Sequence, residues 1–203
     1  MKNIFQTIRK PKPQTFVTVV SGLPRSGTSM MMKMLDAGGI PPMTDNIRSP
    51  DIENPKGYYE FERVKKLPEG DKAWIKDAQG KSVKIISALL EHLPSDSTYK
   101  VIFMRRKMEE ILASQKQMLI RSGKPTDKVS DEKLAEMYQK HIGKIEAWLS
   151  QQPNMSVLYM EYNAMLKDPA SYIQSLNKFL GGSLDVQKMI EVVDPGLYRQ
   201  RKT

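Results

Sequence analysis

Residues 16–37 constrain the fold more than any other part of the chain. FVTVVSG, Phe16–Gly22, is a β-branched apolar run of strand length that ends in glycine. TSMMMKMLDA, Thr28–Ala37, has apolar residues at helical spacing, and two glycines follow it as a stop signal. A glycine-containing loop joins the two segments. This order predicts the opening of a βαβ unit.

The alternation of strands and helices continues along the chain. Further strands are predicted at Ser82–Ser87, Tyr99–Met104 and Ser156–Met160, and further helices at Met108–Arg121, Asp131–Gln151 and Pro169–Phe179. Continuous apolar runs are typical of parallel strands that are buried on both faces. We therefore expect an α/β fold, a parallel sheet with helices on both faces. Residues 1–203 are expected to form one domain, with a basic arm at 1–14 and a basic tail at 196–203.

The composition excludes several kinds of site. The chain has no cysteine and two histidines, which excludes a thiolate zinc site and a cysteine nucleophile and argues against a histidine metal centre. No apolar run reaches the ~18 residues that a membrane span needs. Basic residues and prolines interrupt the first twenty residues, where a signal peptide needs a continuous apolar stretch. We therefore expect a cytoplasmic protein without a metal.

The charge balance favours an anionic partner. The 32 Lys and Arg residues exceed the 23 Asp and Glu residues and give a net charge of +9. A polyanion is one explanation for this excess, and solubility alone is the other. Basic and aromatic residues are not interleaved in the way that stacks bases, so a nucleic acid is not expected.

The loop Gly22–Ser29, GLPRSGTS, resembles a P-loop, whose usual form is GxxxxGK[ST]. In such a loop, backbone N–H groups and the N-terminus of the next helix converge on an anion. Thr28 stands where a P-loop has lysine, and a cation comes earlier, as Arg25. The missing lysine counts against ATP or GTP hydrolysis. An ordinary glycine turn before a helix is the alternative interpretation.

The string PRSGTS after an apolar strand resembles the 5′-phosphosulfate loop of sulfotransferases that use 3′-phosphoadenosine 5′-phosphosulfate (PAPS). The loop of tyrosylprotein sulfotransferases is especially similar. The resemblance implies a P-loop type of nucleotide-binding fold with PAPS as co-substrate. It assigns the phosphosulfate to the following residues: Pro24, Arg25, Ser26, Gly27, Thr28 and Ser29.

Three further segments match that family in the expected order. VIFMRRKMEEILASQ resembles the 3′-phosphate motif, an arginine that ends a strand and a serine eight positions later, here Arg106 and Ser114. VKIISALLEHLP resembles a segment that begins VKTH in cytosolic sulfotransferases, which makes Lys84 a catalytic candidate. VLYMEYNAMLKDP resembles a strand that ends in a tyrosine near the adenine, here Tyr162.

The residues themselves allow other interpretations of these positions. A strand ending in Arg105 and Arg106 presents cations at the carboxyl edge of a parallel sheet, where ligands bind in open α/β folds. The two arginines also fit a solvated pair balanced by Glu109 and Glu110. Tyr162 also fits a half-buried core tyrosine.

The histidine base of cytosolic sulfotransferases has no counterpart in this chain. Its position falls on Ile86, and His92 and His141 lie in helix-like segments where neither is expected to be the base. A carboxylate base, as in tyrosylprotein sulfotransferases, is the replacement to consider. Asp45 in MTDNIR and Glu60 in NPKGYYEFE are the two candidates.

Glu60 is the favoured carboxylate. Asn54, Pro55 and Gly57 predict a turn before it, and Tyr58–Tyr59 would give it apolar cover. The alternative is that Glu60 or Asp45 only binds substrate or caps a helix. Arg25 would offset the charge that develops on the departing adenosine bisphosphate, with Lys84 assisting at the transferred group.

The C-terminal string DPGLYRQRK is a further candidate for phosphate binding. Cytosolic sulfotransferases close over the 3′-phosphate with an RKGxxG segment, and Arg199 and Arg201 lie in a similar place. A frayed basic tail is the alternative.

The predicted function is transfer of a sulfuryl group from PAPS to a hydroxyl or amine of a small-molecule, carbohydrate or peptide acceptor. The acceptor site is expected mainly in the irregular segments Ile40–Leu67 and Ser122–Lys128. Two alternatives stay open from the residues alone. One is a P-loop nucleotide kinase or phosphotransferase, and the other is a non-catalytic nucleotide-binding module with the same fold.

Overall fold

Four parallel strands form the sheet in the computed structural model, which describes residues 15–45, 47, 57–126 and 129–193. The strands are β1 (Val17–Gly22), β2 (Ser82–Lys84), β3 (Tyr99–Arg105) and β4 (Met155–Glu161). Their order in the sheet is β2-β1-β3-β4. Val19 of β1 lies opposite Val83 on one side and Val101 on the other. β1 is therefore an interior strand, which explains why its whole β-branched run is buried.

Helices cover the sheet. The α-helices are α1 (Thr28–Ala37), α2 (Met108–Arg121), α3 (Asp131–Leu149), α4 (Tyr162–Lys167), α5 (Pro169–Leu180) and α6 (Val186–Glu191). Three 3₁₀ helices lie at Glu62–Glu69, Ala73–Ala78 and Ser87–His92. In the part of the chain that the structure describes, no helix is long and apolar enough to cross a membrane.

Successive residues of β1 and β3 pack into two separate cores, one on each face of the sheet. Val20 and Ile102 pack with α1, α4, α5 and α6 on one face of the sheet. Val19 and Val101 pack with the 3₁₀ helices and α3 on the other face. This arrangement confirms the predicted α/β class, a parallel sheet with helices on both faces.

The structure differs from the sequence prediction around β2. The strand is three residues long instead of six, because the chain turns at Ile86 into the 3₁₀ helix that begins at Ser87. The third 3₁₀ helix coincides with the helix-like segment around His92. The other two 3₁₀ helices and the six-residue helices α4 and α6 were not predicted. Each of these elements is too short to show the 3.6-residue periodicity on which helix prediction depends.

Thr18 offers a test of the packing around β1. Its hydroxyl is fully buried and has no hydrogen-bond partner among the described residues. Thr18→Val keeps the shape and removes an unsatisfied polar group, so it should raise the free energy of unfolding by about 1 kcal/mol. The matched change Val19→Thr, at an equally buried neighbour, should lower it by about 1–3 kcal/mol. Urea unfolding of both variants measures the difference, and a destabilising Thr18→Val would contradict the packing described.

Candidate functional site

The candidate site lies at the carboxyl edge of the sheet, where β1, β3 and β4 end side by side. Gly22 at the end of β1 lies opposite Met104 of β3, and Arg105 at the end of β3 lies opposite Glu161 of β4. The loop that joins β1 to α1 and the pair Arg105–Arg106 therefore meet at one edge. The strand order places them there, since β1 and β3 are neighbours.

The loop between β1 and α1 contains residues with positive φ angles, which most residue types rarely adopt. Gly22 has φ +141°, and a Cβ there would lie 2.6 Å from the carbonyl oxygen of Met104. Arg25 has φ +71°, in the left-handed region that non-glycine residues rarely occupy. Strained residues of this kind persist where surrounding contacts enforce them, and they cluster at functional sites.

Gly27 is the N-cap residue of α1 and lies directly under an aromatic ring. Its φ is +100°, and a Cβ there would be 2.4 Å from Cδ2 of Tyr162. Among the described residues, no side chain caps the N-terminus of α1, and its first turn carries no acidic residue. The first N–H groups of a helix lack intrahelical acceptors, so this end of α1 suits an anion.

Ser26 adds a polar group to the same loop. Its hydroxyl is completely buried and has no hydrogen-bond partner within the described ranges. A buried hydroxyl without a partner is uncommon and calls for an explanation. Together with the uncapped start of α1, it fits a loop that surrounds a phosphate or sulfate group.

Arg25 is held at both its backbone and its side chain. Its Nε donates a hydrogen bond of 2.9 Å to Oγ of Ser114 in α2. Its carbonyl oxygen accepts a hydrogen bond of 3.1 Å from a terminal nitrogen of Arg106. The residues that the resemblance to sulfotransferases assigns to the two ends of the nucleotide are thus in direct contact.

The side chain of Arg106 is largely buried and contacts several protein groups. Besides Arg25, it reaches Glu110 through a 2.8 Å hydrogen bond from Nε to Oε2. Its guanidinium carbon lies 4.5 Å from the ring centroid of Tyr162. The side chain of Arg106 is 9% exposed and that of Glu110 is 1% exposed. Arg106 and Glu110 are therefore not solvated, as the alternative of a solvated Arg105–Arg106 pair balanced by Glu109 and Glu110 would have them.

Glu110 and Asn163 complete this cluster. Oε1 of Glu110 accepts a 2.8 Å hydrogen bond from Nδ2 of Asn163, the second residue of α4. Burial raises the pKa of the Tyr162 phenol, partly opposed by the charge of Arg106, so the phenol is protonated at neutral pH. Neither Glu110 nor Asn163 was predicted from the sequence as a member of the site. The i,i+4 spacing of Arg106 and Glu110 was the available signal for one, and no pattern pointed to Asn163.

Arg105 has a different role from Arg106. Its Nε and one terminal nitrogen donate to Oε1 of Glu146 in α3 at 3.0 and 2.6 Å. Its guanidinium carbon lies 3.9 Å from the ring centroid of Tyr159. Its other terminal nitrogen lies 3.6 Å from Oε1 of Glu161. These contacts tie the end of β3 to α3 and β4.

The predicted catalytic residues Lys84 and Glu60 are also brought together. Nζ of Lys84 lies 3.8 Å from Oε1 of Glu60, with the two side chains 11% and 23% exposed. The same Nζ donates to the carbonyl of Tyr58 and lies 3.5 Å from Oγ of Ser29. Lys84 therefore links Glu60 to the first turn of α1.

Backbone contacts fix the position of Glu60. Its carbonyl oxygen accepts a 2.9 Å hydrogen bond from Oγ1 of Thr44 and a 3.3 Å bond from the N–H of Asp45. Tyr59, just before it, has φ +53°, another left-handed non-glycine residue. Burial and a hydrogen bond with Asp36 of α1 raise the pKa of the Tyr59 phenol.

Asp45 holds the local backbone. Its carboxylate accepts hydrogen bonds from the N–H groups of Glu62, at 2.6 Å, and Ile47, at 3.1 Å. Glu62 is the first residue of a 3₁₀ helix, so Asp45 satisfies a donor at the start of that helix. These contacts match the helix-capping alternative for Asp45.

Two further positions named from the sequence lie after β2 and in α3. Ile86, where the resemblance puts a histidine, is 45% exposed after β2. Nε2 of His141 in α3 lies 2.9 Å from Oγ of Ser87, the residue that follows Ile86. Arg199, Arg201, Asn54 and Pro55 lie outside the described residues. No cluster of potential metal ligands occurs within the described residues.

Comparisons with known proteins agree with this geometry. A family model described as a sulfotransferase domain matches residues 17–200. The chain therefore belongs to the sulfotransferase domain family, and the family prediction is confirmed. Among curated proteins, no sequence matches this chain.

Solved structures share the fold. The sulfotransferase domain from the curacin biosynthetic pathway is 17% identical, with a TM-score of 0.52 over 90% of this chain and 79% of that one. Mouse sulfotransferase SULT7A1 complexed with PAP is 17% identical, with a TM-score of 0.56 over 89% of this chain and 63% of that one. Retinol dehydratase in complex with androsterone and inactive cofactor PAP is 18% identical, with a TM-score of 0.52 over 90% and 64%.

Two glycines with the same backbone angle test the contact between the loop and Tyr162. Gly27 and Gly39 both have φ +100°, but a Cβ at Gly39 would meet nothing within 4 Å. Gly39→Ala should cost about 1–2 kcal/mol of stability from backbone strain alone. Gly27→Ala should cost about 1–3 kcal/mol more, because the new methyl group overlaps the ring. Equal losses in urea unfolding would show that Tyr162 does not press on the loop.

The buried ion pair makes a second prediction. Arg106→Met should lower the free energy of unfolding by about 3–5 kcal/mol, because it leaves the carboxylate of Glu110 buried and unpaired. The double variant Arg106→Met/Glu110→Met should recover at least half of that loss. Urea unfolding provides the measurement. A double variant less stable than Arg106→Met would contradict the pairing.

Proposed function

We propose that this chain transfers the sulfuryl group of PAPS to a hydroxyl or amine of an acceptor. The observation that carries the proposal is the contact network of Arg25, Ser114, Arg106 and Tyr162. These residues come from separate segments, and the resemblance assigned each of them to the nucleotide. The PAP-bound relatives of similar fold support the same co-substrate.

The residues present fit such a nucleotide. The uncapped start of α1 and the buried hydroxyl of Ser26 suit the 5′-phosphosulfate. Arg106 and Ser114 would bind the 3′-phosphate, and Tyr162 would lie beside the adenine. Arg199 and Arg201 are proposed as additional phosphate contacts from the C-terminal segment.

Sulfuryl transfer needs an attacking oxygen or nitrogen and a stabilised leaving group. The acceptor atom forms a bond to sulfur while the bond from sulfur to the phosphate oxygen breaks, and adenosine 3′,5′-bisphosphate leaves. Arg25 would neutralise the charge that develops on that phosphate. Lys84, in contact with Ser29 at the start of α1, would stabilise the transferred group.

Glu60 is the carboxylate that we propose as the general base, taking the proton from the acceptor. Its side chain lies beside Lys84, which links it to the loop. Asp45 is the less suitable candidate, because both of its carboxylate oxygens already accept backbone hydrogen bonds. We propose that Asp45 instead holds the backbone from which Glu60 projects.

The acceptor is proposed to be a small molecule with a hydroxyl group. Support comes from the fold shared with retinol dehydratase, which was solved with androsterone. The segments 40–67 and 122–128 are the proposed acceptor-binding regions. The kinase alternative is not favoured, because Thr28 stands in the place of the P-loop lysine.

Calorimetric titration with adenosine 3′,5′-bisphosphate in EDTA tests the nucleotide site. The wild type should bind with micromolar affinity without metal, and ATP with Mg²⁺ should bind at least about tenfold more weakly. Arg106→Lys keeps a charge beside Glu110 but loses the forked donor, so its affinity should fall about tenfold or more. Preference for ATP with Mg²⁺, or no nucleotide binding, would overturn the proposal.

A matched pair of substitutions tests the base. Acceptors would first be found by screening phenols, alcohols and amines for PAPS-dependent release of adenosine 3′,5′-bisphosphate. With a hit in hand, Glu60→Gln should lower kcat about 100-fold or more, because it removes the proton acceptor. Asp45→Asn should lower the melting temperature and leave kcat within about tenfold. If Glu60→Gln keeps wild-type kcat across pH 6–9, Glu60 is not the base.

A further inference from the structure

We propose that Glu110 is a positioning residue for Arg106, and that its hydrogen-bond pattern sets the affinity for the 3′-phosphate. The proposal rests on the proposed function, since it assumes that Arg106 binds that phosphate. Glu110 belongs neither to the loop nor to the predicted site residues. Its carboxylate is nevertheless the most deeply buried acidic group among the described residues, at 1% exposure.

Each oxygen of the Glu110 carboxylate accepts a hydrogen bond from a different residue. Oε2 accepts from Nε of Arg106 at 2.8 Å, and Oε1 accepts from Nδ2 of Asn163 at 2.8 Å. The hydrogen bond from Arg106 fixes the edge of its guanidinium that carries Nε. The hydrogen bond from Asn163 ties α2 to α4, the helix that also carries Tyr162. Glu110 therefore connects Arg106 to the helix that carries the neighbouring ring of Tyr162.

The orientation of Arg106 follows from these contacts. With Nε fixed on Glu110 and Tyr162 beside the guanidinium, one terminal nitrogen points toward the loop and donates to the carbonyl of Arg25. A guanidinium binds a phosphate well only when its planar fork is correctly directed. Misdirecting Arg106 should therefore weaken phosphate binding even though the charge is still present.

The amide of Asn163 has a defined direction. Its Oδ1 accepts from the backbone N–H of Lys107 at 3.4 Å, so its Nδ2 faces Glu110. Glu110→Gln disrupts this arrangement of hydrogen-bond donors and acceptors. If the new amide oxygen faces Arg106, its NH₂ group meets the NH₂ group of Asn163, and turning either amide only moves the mismatch to Arg106 or Lys107.

A reciprocal change restores the pattern. In Glu110→Gln/Asn163→Asp, the new glutamine oxygen accepts from Arg106 and its NH₂ group donates to the new aspartate. That aspartate can still accept from the N–H of Lys107. The net charge equals that of the wild type, so the comparison isolates the arrangement of donors and acceptors. Glu109→Gln is the matched control, because Glu109 is an exposed neighbour in the first turn of α2.

The experiment measures affinity for adenosine 3′,5′-bisphosphate by calorimetry, and for 5′-AMP, which lacks the 3′-phosphate, by competition against it. Melting temperatures identify conditions in which each variant is folded. Glu110→Gln should bind the bisphosphate about tenfold more weakly and 5′-AMP within about threefold of the wild type. The double variant should return to within about threefold for both ligands, and Glu109→Gln should match the wild type.

The outcomes separate this inference from the proposed function. A wild type that does not bind the bisphosphate overturns the proposed function and, with it, the role of Glu110. If the wild type binds, unchanged affinity in Glu110→Gln overturns the positioning role alone. Equal losses for both ligands, or a folded double variant that stays as weak as Glu110→Gln, would leave Glu110 with a merely structural role and also overturn it.

Discussion

The guanidinium of Arg106 joins three of the segments that build the site. It pairs with Glu110 of α2, lies beside Tyr162 of α4, and donates to the carbonyl of Arg25 in the loop. Burying this charge is favourable only because the contacts replace the hydrogen bonds to water that the guanidinium loses. The left-handed backbone at Arg25 is one consequence, since a strained residue needs surrounding contacts to hold it. The loop conformation thus depends on a residue more than 80 positions away in the chain.

A second group of contacts shapes the other side of the site. Lys84 at the end of β2 holds the carbonyl of Tyr58 and the carboxylate of Glu60, and Thr44 holds the carbonyl of Glu60. The left-handed Tyr59 lies in the middle of this segment, and its burial and the charge of Asp36 in α1 raise the pKa of its phenol. Both strained non-glycine residues of the described chain therefore flank α1, whose N-terminus faces the proposed phosphosulfate.

The sequence predicts the parts of the site that local chemistry determines. The segment from β1 to α1 has a β-branched strand, two glycines and a helical apolar pattern, and the structure places α1 at the predicted Thr28–Ala37. The α/β class and the family were likewise predicted correctly. The contacts among Arg25, Ser114 and Arg106 depend on strand order, which residue spacing alone does not determine.

Other features could not be predicted from the sequence. Glu110 had the correct spacing to pair with Arg106, but burial distinguishes a structural pair from a solvated one, and burial is a tertiary property. Asn163 joins the cluster only because α4 begins immediately after β4. The predicted strand Ser82–Ser87 ends after Lys84 and a 3₁₀ helix begins at Ser87, because Ile86 leaves the core instead of continuing the buried pattern.

We propose that the carboxyl edge of β1, β3 and β4 is one nucleotide site with a defined direction. A crystal structure of the chain with adenosine 3′,5′-bisphosphate would test it most directly. The account predicts the 5′-phosphate at the N-terminus of α1 beside Ser26 and Thr28, the 3′-phosphate on Arg106 and Ser114, and the adenine near Tyr162. A nucleotide bound away from this edge, or with its two phosphates exchanged, would contradict the account.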